Sequence, residues 1–187
     1  QIAQIHDTDR FGDMLDNGTV MNGKLIESPK SFQVACTIVT QIIAAVASSQ
    51  YGGQSVDIRH LGKYLRKSYN KYKALYQEEF GDRLDADTLE ELVKERLNDE
   101  LRSGVQTIQY QINTLMTTNG QSPFVTLFLN LDPNDEYIEE NAMIVEEILR
   151  QRLEGIKNEV GVYVTPAFPK LIYVLDEHNC LKGGKYD

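Results

Sequence analysis

The apolar positions of this chain change rhythm along its length, and each rhythm predicts a different element. Between 29 and 50 nearly every position is apolar: Phe32, Val34, Ala35, Cys36, Ile38, Val39, Ile42, Ile43, Ala45 and Val46. The polar exceptions Gln33, Thr37, Gln41 and Ser48 fall at helical spacing and make one narrow stripe. An uncharged helix of this kind is expected to be packed by protein on nearly all sides. Ser28 and Pro29 suit its cap and first turn, and Gly52-Gly53 suit its end. Residues 57–80 are amphipathic, with Lys63, Arg66, Lys67, Lys71 and Lys73 forming the one basic cluster, and Gly81-Asp82 breaks the pattern. Asp87-Thr88-Leu89-Glu90 resembles a capping box with Asp87 as the cap. A long helix over 88–117 follows. Its seam is Leu89, Leu92, Val93, Leu97, Leu101, Val105, Ile108, Ile112 and Leu115, the spacing of a helix bundle.

Beyond the turn at 118–123 the rhythm shortens. The run FVTLFLNL at 124–131 reads as a strand buried on both faces. A helix over 136–156 and a second buried strand, FPKLIYVL at 168–175, come next. Strand, helix and strand make a βαβ unit with parallel strands and a right-handed crossover. Two buried parallel strands cannot close a sheet, so the chain is expected to be part of a larger α/β architecture. Residues 1–27 look turn-rich, with Asn22-Gly23 marking a hairpin between Val20-Met21 and Leu25-Ile26.

With 187 residues the chain is long enough for one domain with a real core. The net charge of -9 argues against a protein that lives on nucleic-acid phosphate contacts. Two distant cysteines, Cys36 and Cys180, give neither a disulfide framework nor metal-ligand spacing, which fits a reducing cytoplasm. The longest purely apolar run, Ile42 to Ala47, is too short to span a bilayer. The first residues show no basic start and no apolar targeting run, and a first residue Gln suggests a gene product that begins elsewhere.

Four features offer chemistry, each with a structural alternative. Tyr51-Gly52-Gly53-Gln54 places paired glycines where backbone N–H groups can hold an anion, or where they simply end a helix. Asn119-Gly120-Gln121-Ser122-Pro123-Phe124 stands where a helix hands over to a strand, as a ligand loop or as a tight turn. His6-Asp7-Thr8-Asp9 is a metal or acid–base candidate, or a hydrogen-bonded structural cluster. Glu27, Lys30 and Gln41, on or just before one helix, and Lys71 on the next are ordinary surface groups. If the helices pack, the lysines can instead grip phosphate.

Three ordered blocks then resemble a known family. The first runs from Ile26-Glu27-Ser28-Pro29-Lys30-Ser31 through Thr40-Gln41-Ile42-Ile43 to Ala47-Ser48-Ser49-Gln50-Tyr51-Gly52-Gly53. The others are Asn113-Thr114-Leu115 with Asn119-Gly120-Gln121-Ser122-Pro123-Phe124-Val125-Thr126, and Ala167-Phe168-Pro169-Lys170-Leu171. Together they resemble the anaerobic (class III) ribonucleoside-triphosphate reductase, a glycyl radical enzyme. The resemblance implies an N-terminal slice of that enzyme: long dimer-forming helices plus part of a ten-stranded α/β barrel. It assigns 26–117 to a mainly helical effector and dimer region, and 118–187 to a βαβ part of the barrel.

Family members reduce ribonucleoside triphosphates to deoxy forms, supplying DNA replication. A partner radical-SAM activating enzyme makes the glycyl radical, and a cysteine on a finger loop attacks the ribose. By this resemblance Glu27, Lys30, Gln41 and Lys71 match the allosteric site for ATP, dATP or dTTP-type effectors at a homodimer interface. His6 and Asp7, Gly52, Gly53 and Gln54, and Asn119, Gly120 and Gln121 are implied to face the substrate pocket. His6-Asp7-Thr8-Asp9 would lie on an early barrel strand.

There are departures. Asp9 is followed at once by Arg10-Phe11-Gly12 and Asp13-Met14-Leu15, so the strand bearing the family's first active-site cysteine reads as deleted. The finger-loop cysteine, the glycyl radical loop and the C-terminal zinc cysteines would all lie beyond Asp187. The chain is therefore expected to carry no catalytic residue, cofactor or metal of its own and to be inactive alone. The alternative function is a stand-alone nucleotide-binding dimerisation module in the cytoplasm.

Overall fold

A computed structural model describes residues 8–21, 23–49, 53–115 and 123–184. The N-terminal stretch expected to be turns opens with a helix, α1 (Thr8–Asn17). Phe11 and Leu15, one turn apart, bury a stripe of it despite the surrounding Asp, Asn and Gly. Thr8 and Asp9 thus begin a helix and do not lie on a strand. The positions around the inferred deletion run through α1 without a break. Gly18, at φ 79°, ends it. The expected hairpin follows as β1 (Thr19–Met21) and β2 (Lys24–Ile26), antiparallel, with Met21 opposite Lys24. Gly23 has φ 72°, as such a turn requires.

Helix α2 (Phe32–Ser49) starts later than Ser28-Pro29 suggested. Ser31 caps it, its Oγ accepting the Val34 N–H at 3.4 Å. Two more free N–H groups of the first turn find tertiary partners. Phe32 donates to Ser68 Oγ at 2.9 Å and Gln33 to Glu100 Oε1 at 2.9 Å. After α2 comes a strand the sequence pattern concealed, β3 (Gln54–Asp57), which leads into α3 (Arg59–Phe80). Helix α4 (Ala86–Thr114) is capped by Asp85, whose carboxylate accepts the Thr88 N–H at 2.9 Å, so Asp87 lies inside the first turn.

Helices α2, α3 and α4 form the core. Leu97, Leu101, Val105, Ile108 and Ile112 of α4 join Phe32, Ala35, Cys36, Val39 and Ile43 of α2, and Leu61, Tyr64 and Leu65 of α3, in one buried cluster. The long seam of α4 is therefore used within the chain. Gly104 lets α2 approach closely: a Cβ there would stand 2.6 Å from the Phe32 ring and 2.9 Å from Cys36 Sγ. Glu100 is buried between the three helices with three donors. They are the Gln33 N–H, the Ser68 hydroxyl at 3.0 Å and the Tyr72 hydroxyl at 2.7 Å.

The rest is a crossover. It runs through β4 (Val125–Leu129), α5 (Ile138–Glu154), a small antiparallel hairpin of β5 (Ile156–Lys157) and β6 (Tyr163–Val164), and β7 (Lys170–Tyr173). A short helix, α6 (Glu177–Cys180), follows. The main sheet has the order β3-β4-β7 and both pairings are parallel, with Leu127 opposite Val56 and Leu171. The βαβ reading holds, with a third strand added. Central β4 buries Val125, Leu127 and Leu129, while Thr126 and Phe128 are half-buried. Strand β7 is not buried. It is an edge among the described strands, and Ile172 is 44% exposed. Among the described residues no helix is long and apolar enough to cross a membrane.

Candidate functional site

The basic cluster of α3 divides by partner. Lys63 pairs with Asp16 of α1, Arg66 with Glu140 of α5, and Lys73 with Glu90 of α4 at 3.9 Å. These are ties between elements. Lys67 reaches the Pro29 carbonyl at 3.5 Å. Together with the Phe32–Ser68 bond, this lays the segment before α2 against the middle of α3. Lys71 stands one turn beyond Lys67 on the same side of α3, its ammonium 5.6 Å from the centre of the Tyr72 ring. Glu27, Lys30 and Lys71 are exposed, and none has an ion-pair partner among the described residues. Folding therefore lays the segment that follows Glu27 against α3 at Lys67 and Ser68, one turn before Lys71.

Gln41 is exposed as well. It lies nine residues past Phe32 on α2, roughly 14 Å along the axis at 1.5 Å per residue. Within one chain it is not part of the lysine corner. Beneath that corner, burial pushes the Tyr72 phenol up to about 12, with the hydrogen bond to Glu100 and its charge adding to the effect. Burial, then the Glu100 charge, also holds the Cys36 thiol well above its ordinary range. Cys36 is thus an inert core thiol and no nucleophile.

The second group lies at the amino ends of the parallel strands. Gly53 precedes β3 without a positive φ, so its role is close approach: a Cβ would stand 2.9 Å from the Phe124 ring. Gln54 pairs through its N–H with the Phe124 carbonyl at 2.8 Å, and its side chain donates to the Ile43 carbonyl at 2.9 Å. That side chain ties β3 to α2. Phe124 packs on Phe168 with ring centres 4.8 Å apart. His6, Asp7, Gly52, Asn119, Gly120 and Gln121 lie outside the described residues.

At the carboxyl ends of β3 and β4 stands a charged group that pattern reading missed. Arg59 pairs with Asp57 at 2.7 Å and with Asp132 at 3.7 Å, and its own N–H donates to Asp57 Oδ1 at 3.0 Å. Asp135 accepts from Asn141 at 3.0 Å. Burial, assisted by the charges of Lys63 and Arg59, pushes the neighbouring His60 below its usual range, although Asp57 and Asp16 pull it upward. The available signal was an Asp at or just past the carboxyl end of each strand, Asp57 closing β3 and Asp132 following β4, where open α/β sheets commonly bind ligands. Here the acids already have a cation, and the group latches β3 to the turn after β4.

Residues 8–187 match the family model described as anaerobic ribonucleoside-triphosphate reductase. The chain belongs to that family. It is 36% identical over 174 residues to the anaerobic ribonucleoside-triphosphate reductase of Escherichia coli K12, covering 91% of this chain and 23% of that protein. The enzyme of the same name from phage T4 is 35% identical over 168 residues, covering 88% of this chain and 26% of that protein. The one from Haemophilus influenzae is 34% identical over 164 residues, with 87% and 22% covered. The chain thus spans about a quarter of the length of the curated relatives it matches. The match to the reductase family takes in every described residue of the three groups above, and leaves out His6 and Asp7.

Proposed function

We propose that this chain is the nucleotide-sensing part of an anaerobic ribonucleoside-triphosphate reductase, an oxidoreductase that makes deoxyribonucleotides by radical chemistry. Residues 26–117 are its effector and dimer region. Residues 118–187 contribute strands to the α/β barrel and part of the substrate pocket. Lys30 and Lys71 hold the phosphates of an effector such as ATP, dATP or dTTP, Glu27 borders them, and Gln41 meets the sugar or base.

The observation that carries this reading is the pairing pattern. Lys63, Arg66 and Lys73 are neutralised by acids from other elements, whereas Lys30 and Lys71 are exposed with no acid paired to them among the described residues. The distance of Gln41 from that corner supports a site shared by two subunits. The exposed uncharged stripe Val34, Thr37, Gln41 and Ser48 of α2 supports the dimer face. The open edge of β7 favours a piece of a larger sheet over a stand-alone module. In this reading the glycyl radical, its activating enzyme and the zinc belong to parts outside this sequence. The chain alone turns over no substrate. Two free cysteines support a cytoplasmic setting.

Calorimetry with ATP, dATP and dTTP, alongside light scattering, tests the assignment. A charge-assisted contact to phosphate is worth about 1.5–3 kcal/mol. Lys71→Ala should therefore weaken binding roughly tenfold or more, and added salt should weaken it further. Gln41→Ala should shift which nucleotide is preferred more than the tightness of binding. Equal binding by the wild type and Lys71→Ala, or no binding in a confirmed dimer, makes the assignment wrong.

A further inference from the structure

A second cation without an acid stands at the amino edge of the sheet. The Lys170 ammonium lies 4.8 Å from the centre of the Phe124 ring and has no ion-pair partner among the described residues. A cation held over a ring face keeps its N–H groups available to another ligand. Phe124 is 47% exposed, an unusual position for a large apolar ring at the start of a central strand. Gly53 closes beneath this ring and Phe168 packs against it.

The turn that presents Phe168 and Lys170 is pinned from two helices. Arg152 of α5 donates to the Pro166 carbonyl at 2.8 Å and also to the Pro169 carbonyl. Asn113 of α4 donates to the Phe168 carbonyl at 2.9 Å. Three side-chain donors spent on one short turn fix the backbone that leads into Lys170 before any ligand arrives, which lowers the ordering cost of binding.

We infer that Lys170, seated on the Phe124–Phe168 pair, binds a phosphate group of a nucleoside triphosphate. This is a second nucleotide contact, separate from the Lys30–Lys71 corner. It rests on the reading of the chain as a nucleotide-binding part of a reductase. An ammonium with three donors suits phosphate as a point charge. The apolar ring beside it suits the ribose or base of the same ligand.

The test separates the two sites by working in a background that lacks the first. ATP and CTP, and in parallel arms dATP and dTTP, are titrated into Lys71→Ala and into Lys71→Ala/Lys170→Ala, with inorganic tripolyphosphate as competitor. The single variant should retain a site that tripolyphosphate displaces. The double variant should bind roughly tenfold or more weakly, and Lys170→Arg in place of Lys170→Ala should restore most of the affinity. Binding of CTP stronger than that of dATP and dTTP marks a substrate-type ligand, and the reverse order an effector-type one, ATP being common to both. Equal binding by the single and double variants overturns the inference. Loss of all binding in Lys71→Ala alone overturns it too, while leaving the effector assignment standing. A wild type that binds no nucleotide sinks both.

Discussion

Removing the Glu100 carboxylate should damage the helical core about as much as truncating a fully buried aromatic side chain. The group accepts from the Gln33 N–H of α2 and from the Ser68 and Tyr72 hydroxyls of α3, while its own backbone belongs to α4. Hydrogen bonds to a charged group contribute about 1.5–3 kcal/mol each, and orphaned buried donors cost a comparable amount. These bonds act as one network, so the sum is not additive. Glu100→Ala is therefore expected to cost on the order of 3–5 kcal/mol, less than the sum of three such contacts. Domains commonly have about 5–15 kcal/mol in total, so the variant should sit near the edge of stability. Glu100→Gln keeps the shape and one carbonyl oxygen for Gln33 and Ser68. Its amide then meets Tyr72, whose hydroxyl can turn to accept, and the cost should fall to roughly 1–2 kcal/mol. Urea unfolding followed by far-UV circular dichroism measures both. A Glu100→Ala variant within about 1 kcal/mol of the wild type at unchanged m would refute the network as the tie between the helices. Equal losses for Glu100→Ala and Glu100→Gln would show that charge matters and shape does not.

Gly104→Ala should destabilise by about 1–2 kcal/mol. Crowding against the buried Phe32 ring and Cys36 outweighs the roughly 1 kcal/mol gained in helix propensity, and a variant with raised thermal stability would contradict the close approach of α2. His60 makes stability fall with acidity. Its folded pKa lies below the ordinary 6.5, so the unfolded chain takes up the proton first as pH drops. Stability should be full above about pH 6.5, decline toward the folded value and then level off, and His60→Gln should remove that slope in urea midpoints measured across pH.

How much of this was readable in the residues varies from element to element. Helices α2, α3 and α4 announce themselves because a 3.6-residue period over many turns leaves no competing pattern. Strand β3 was hidden because Gln54-Ser55-Val56-Asp57 holds one apolar residue, and only pairing with β4 makes it a strand. Helix α1 carries Phe11, Met14 and Leu15 at helical spacing, but Asp, Asn and Gly between them look like turns. Several serines and aspartates near the helix starts could each serve as caps. The choice of Ser31 and Asp85 depends on how the chain enters the bundle, which is a tertiary property. The same holds for the candidate site. Lys30 and Lys71 looked like ordinary charges until packing paired their neighbours and left them without an acid partner among the described residues.

The two ends of the parallel sheet differ in a way that bears on where a ligand can sit. In open α/β sheets ligands usually meet the carboxyl ends of the strands. Here that end is occupied by its own charges: Arg59 lies between Asp57 and Asp132, and its first backbone N–H is already spent on Asp57. An anion there would have to displace a carboxylate from the guanidinium, and a cation would have to displace the guanidinium itself. The amino end is arranged in the opposite sense. Its turn is pinned by Arg152 and Asn113 through backbone carbonyls, which satisfies the turn without neutralising Lys170. Lys170 is exposed and has no ion-pair partner among the described residues, so an arriving anion has no carboxylate to displace there. The electrostatics of this sheet therefore favour an anionic ligand at the amino edge, beside Gly53 and Phe124, over the strand ends where fold alone would put it.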